Sequence, residues 1–93
     1  MTTNKRELKR MINYICSDLF AECVATTLYE ERKATDEDVN ALLSSILLTH
    51  SDFIKRISHP EPGLPPKKYY KNLVQQFNQQ IGELVDQVCN LGL

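Results

Sequence analysis

The chain has 93 residues, 42% of them apolar and 25% charged, with 11 Lys and Arg against 12 Asp and Glu for a formal charge of -1. That length holds one domain spanning 1–93. Size scaling has folding bury roughly 10,000 Å² of the roughly 15,500 Å² that the open chain exposes, enough for a single core. The composition excludes a disordered chain, and three glycines and four prolines are too few for a small turn-rich β domain.

The first periodic segment covers about 5–31. Leu8, Met11, Ile12, Ile15, Cys16, Leu19, Phe20, Cys23, Val24, Thr27 and Leu28 recur at spacings of three and four, the rhythm of a helix. Asn4 followed by Glu7 resembles a capping box. At 100° per residue the apolar positions cover more than half the circumference, which predicts the most enclosed helix of the molecule.

After the short connection Arg32-Lys33-Ala34, the run Thr35-Asp36-Glu37-Asp38 opens a second helix over 36–58. Thr35 can accept from the amide three residues on, Asp38 can reach back, and the acids suit the positive helix start. Val39, Leu42, Leu43, Ile46, Leu47, His50, Phe53, Ile54 and Ile57 form its apolar face.

All four prolines lie in 59–66, a stiff linker that no helix can cross. A third helix starts at Pro65 or Pro66, where the missing amide costs nothing, and runs to about 91. Its apolar side holds Tyr70, Leu73, Val74, Phe77, Ile81, Leu84, Val85, Val88 and Leu91, spaced 4-3-4-3 from Phe77 onward as in coiled-coil packing. Three helices with short connections predict an all-α, antiparallel up-down-up bundle.

That topology brings the starts of helices one and three and the end of helix two to one pole. Lys5, Arg6, Lys9, Arg10, Lys55, Arg56, Lys67, Lys68 and Lys71 collect there against Glu7, Asp52 and Glu61. The rest of the molecule carries Arg32 and Lys33 against nine acids. Two helix starts with outward amides among cations make an anion site conceivable, and Tyr69 and Tyr70 within the lysine run could stack on a base. Three readings compete: solubilising surface charge, docking of an acidic protein surface (including the chain's own acidic end), and nucleic-acid binding.

Catalytic signatures are sparse. If helices one and two pair at levels where residue numbers total about 67, Cys16 meets His50. Such a pair could lower a thiol pKa or offer two metal ligands, but the sequence supplies no third ligand or orienting carboxylate. The alternative is an inert packed thiol beside a boundary histidine. His59 and Glu61 flank Pro60 as an exposed pair, and the acids of 36–38 lack the glycine and distal glutamate of a calcium loop. Neither a phosphate-cradling glycine loop nor a Cys-x-x-Cys pair occurs. The expectation is a non-enzyme with no cofactor and no metal.

Leu48 lies opposite the main stripe of helix two, and Tyr14, Ala21 and Ala25 widen the stripe of helix one. This surplus apolar surface marks interface candidates for a homo-oligomer or a protein partner. No apolar segment fits a signal peptide or a membrane span. Three cysteines, with Cys16 and Cys23 roughly 10 Å apart on one helix, suit free thiols facing apolar surroundings in a reducing, cytoplasmic setting.

The stretch NKRELKRMINYICSDLFAEC (4–23) together with ISHPEPG (57–63) resembles a family of short, uncharacterised all-helical bacterial proteins. The resemblance implies a helical fold over nearly the whole chain and brings no activity, ligand or residue role with it. The function expected is that of a small interaction or regulatory module, self-associating or part of a larger assembly. Polyanion or nucleic-acid binding at the basic pole is the alternative, and a thiol or metal role at Cys16 and His50 a third.

Overall fold

The computed structural model describes residues 5–26, 28 and 35–91, without the side chain of Leu91. Three helices follow one another: α1 (Lys5–Thr26), α2 (Asp36–Ser58) and α3 (Pro66–Leu91). The Asn4 cap, Thr27 and the connection Arg32-Lys33-Ala34 lie outside the described residues.

The clearest local determinant is the start of α2. Thr35 is extended (φ -78°, ψ 165°). Its Oγ1 accepts from the Asp38 amide at 3.1 Å, and Asp38 Oδ2 accepts from the Thr35 amide at 3.2 Å, a closed capping box. At the other end, three carbonyls of the last turn find partners. The His59 amide donates to Lys55 O at 2.9 Å. The Tyr69 hydroxyl donates to Arg56 O at 2.9 Å, and the Tyr70 hydroxyl to Ile57 O at 3.3 Å. Orphan carbonyls of a helix end otherwise need water or a cap, so two tyrosines of α3 dock its first turn onto the end of α2. Between them the linker turns at Gly63, whose φ of +90° suits a residue without a Cβ. Pro66 then opens α3, and Pro65 O accepts from the Tyr69 amide at 3.0 Å.

The core is continuous. Ile12, Cys16, Leu19 and Cys23 of α1 join Val39, Leu42, Ile46, Phe53 and Ile57 of α2 and Tyr70, Leu73, Phe77, Leu84 and Val88 of α3. Phe53 and Phe77 meet edge to face with centroids 5.2 Å apart. Asn13 pairs with His50 across α1 and α2, while Phe53 and Arg56 reach Phe77 and Gln76 across α2 and α3. Both neighbouring pairs are therefore antiparallel, giving the up-down-up bundle that the periodicity predicts. Principal extents of 50 × 20 × 16 Å describe a rod.

Four departures from the sequence reading have physical causes. Helix α1 spans Lys5–Thr26, and residues 27 and 29–31 of the expected helix lie outside the described residues. Leu28 already sits in a turn, its amide donating to Ala25 O at 3.0 Å, and its side chain is exposed. The β-branched Val24 and Thr26 weaken the helix there, no basic side chain supports the last turn, and the Thr26 hydroxyl ties down Cys23 O at 2.6 Å. Second, Val24, Leu47 and Val85 continue the apolar rhythm yet are exposed, because three helices cover less of each circumference than those stripes span. Third, Cys89 is exposed rather than turned to the core. Fourth, His50 hydrogen-bonds to Asn13, about one turn before Cys16 on α1, and also lines a shallow cavity together with Cys16.

Candidate functional site

The cations that the sequence assigns to one pole differ in what they can do. Arg56, halfway down the last turns of α2, is committed to structure. Its Nη2 lies 3.0 Å from Asp52 Oδ2, its Nη1 donates to Gln76 Oε1 at 2.7 Å, and its guanidinium carbon stands 4.8 Å over the Phe53 ring. It clamps α2 to α3 and shields the edge of the core. Tyr70 is buried and Tyr69 half-buried, the two rings packed edge to face at 5.3 Å. Both hydroxyls are engaged at the end of α2, so the two rings serve the α2/α3 contact. Lys5, Arg10, Lys55, Lys67, Lys68 and Lys71 are exposed, and Lys9 is half-buried. Docking of Tyr70 on Ile57 sets Lys67, Lys68 and Lys71 beside the end of α2.

Between α1 and α2 lies a shallow cavity of about 250 Å³ lined by Cys16, Ser17, Phe20, Ile46, Leu47 and His50. Cys16 and His50 thus share a surface although His50 hydrogen-bonds to Asn13. Burial pushes the Cys16 thiol above its ordinary value of 9.0, and Cys23 likewise. Desolvation disfavours the thiolate, so the shift runs opposite to the one an activated nucleophile needs.

A larger groove of about 560 Å³ opens between α2 and α3, lined among others by Thr49, Gln76, Gln79 and Gln80. Its only charged side chains, Asp52 and Arg56, neutralise each other. Amides and a hydroxyl can hold a polar ligand but offer no proton donor or acceptor tuned for catalysis near pH 7. His59 and Glu61 are both exposed in the linker, and Asp38 is spent on the cap. No cluster of three or more potential metal ligands occurs among the described residues.

The interface candidates are where the structure adds most. Tyr14 is 74% exposed, Leu48 71% and Leu47 56%. Ala21 and Ala25 are exposed on the same side of α1 as Tyr14. Leu47 is the one that residue spacing assigned to the core; only the observed pairing of α1 with α2 reveals it at the rim of a groove. No helix among the described residues is long and apolar enough to cross a membrane.

Comparison with family models, curated proteins and solved structures finds no match, so the resemblance to short helical bacterial proteins goes no further than a small all-helical chain.

Proposed function

We propose that this protein is a non-enzymatic helical interaction module that self-associates or seats in a larger assembly. The observation carrying this reading is the exposure of Tyr14, Leu47 and Leu48, large apolar side chains set on well-formed helices rather than on loops. Covering apolar area lowers the free energy by about 25 cal/mol per Å². A reducing, cytoplasmic setting belongs to the same reading, supported by three free cysteines. Light scattering during gel filtration tests it: a mass above 10.7 kDa is expected, and a monomer at millimolar concentration would refute self-association.

A second reading, polyanion binding at the basic pole, draws on Lys67, Lys68 and Lys71, which are exposed at a helix start whose first turn carries no acid. Labelled oligonucleotide titrated at low salt should bind with about micromolar affinity, weakening steeply as salt rises. Absence of binding at low salt removes this reading.

A further inference from the structure

We infer that the occupant of the open α1/α2 face is a second copy of the same chain, packed antiparallel about a two-fold axis passing near Leu47. The inference rests on the self-association reading and adds to it a face, a symmetry and a set of partners.

The geometry starts from which side of the hairpin α3 occupies. Phe53 and Arg56 reach α3, whereas Leu47 lies about 120° around α2 from Phe53 at ~100° per residue and lines the cavity with Ser17, Phe20 and His50 of the α1/α2 pair. No α3 residue lines that cavity. The bundle thus has α3 on one side of the α1/α2 pair and a half-apolar groove on the other.

Charge placement selects the occupant. From Val39 to Ser51, α2 contains no Asp, Glu, Lys or Arg. On α1 the acids Asp18 and Glu22 both lie about 160° from Phe20, away from the groove. The middle of the face is therefore uncharged, and charges of opposite sign flank it along α2: Glu37 near the start and Lys55 near the end both lie about 80° around the helix from Leu47, on the side of Leu48, at the rim of the face. Glu37 and Lys55 lie at equal distances, roughly 13 Å at ~1.5 Å per residue, on either side of Ile46. A two-fold axis across the middle lays Glu37 of each copy at the level of Lys55 in the other, and does so twice. That is the self-complementarity an isologous contact demands. A parallel arrangement would set like charge on like.

The area is sufficient. Helix α1 has 22 residues, about 33 Å of length, and the molecule is 20 Å across. The face offers on the order of 650 Å² per copy, or about 1,300 Å² in total, within the range of stable specific interfaces.

The test uses the full chain and three variants: Leu47→Asp, Glu37→Lys, and Glu37→Lys combined with Lys55→Glu. Sedimentation equilibrium reports association, and circular dichroism melting reports folding separately, since both charge changes also act on the ends of α2. A dimer is expected for the parent chain. Leu47→Asp should weaken it by about 100-fold or more while keeping helical content, because Leu47 is 56% exposed within one copy. Glu37→Lys should weaken it by about threefold to tenfold, and the double reversal should restore it. A dimer that Leu47→Asp leaves intact overturns this face while self-association stands. A trimer or larger assembly overturns the closed two-fold pair. A parent chain that is monomeric, alone or bound to a different protein, overturns the inference and the self-association reading together.

Discussion

Tyr70 shows how a single polar atom decides the geometry of the basic pole. Its ring is buried in the core while its hydroxyl reaches Ile57 O. Removing only the hydroxyl leaves a carbonyl of the last turn of α2 without that partner. Tyr70→Phe should therefore lower stability by about 1 kcal/mol in urea unfolding; no change would mean that water serves the carbonyl equally well. The thiols give a second residue-level expectation. Cys16 and Cys23 are buried and raised in pKa by burial, whereas Cys89 is exposed. In the native protein at pH 8, a maleimide reagent should modify one thiol rapidly and two only after unfolding. Rapid modification of all three would contradict the packing. Because the folded pKa values lie above 9.0, the unfolded chain loses these protons first as pH rises. The thiols' contribution to stability is complete below about pH 9 and declines as pH climbs through the folded values. A Cys16→Ala, Cys23→Ala variant should lose stability less steeply between pH 8 and 10; an identical slope would refute this assignment. His50 was legible as a seam residue, but its contact with Asn13 was not, since it depends on the register between α1 and α2.

At the scale of elements, signals that act locally were readable and signals that depend on neighbours were not. The capping box at Thr35 and Asp38, the prolines of 59–66 and Pro66 fix α2 and the start of α3 through bonds made or forbidden within a few residues. The end of α1 carries no comparable stop: Val24 and Leu28 prolong the apolar rhythm, yet both are exposed. In α3, Gly82 is exposed, helical, and has nothing within 4 Å of where a Cβ would stand. Gly82→Ala should raise stability by about 0.5–1 kcal/mol, seen as a higher melting temperature with unchanged helical content. A lower melting temperature would show that α3 makes a close approach there that one copy alone does not contain.

For the whole molecule, topology converts a chain of nearly zero net charge into a rod with a basic pole. The ordering of helices is what leads the sequence to this expectation, because the cations sit at helix ends whatever the details of packing. Which cations remain available was not foreseeable. Arg56 is consumed by Asp52, Gln76 and Phe53, and the tyrosines close the end of α2. The two exposed leucines line different grooves, Leu47 the one between α1 and α2 and Leu48 the one between α2 and α3. A radius of gyration of 15.2 Å, against about 12–13 Å for a compact chain of this length, reflects the elongation of three long helices laid side by side.

Sedimentation equilibrium of the unmodified protein over micromolar to millimolar concentration tests self-association most directly. The account predicts a concentration-dependent shift to about 21 kDa, twice the chain mass of 10.7 kDa. A single species of 10.7 kDa throughout would contradict it.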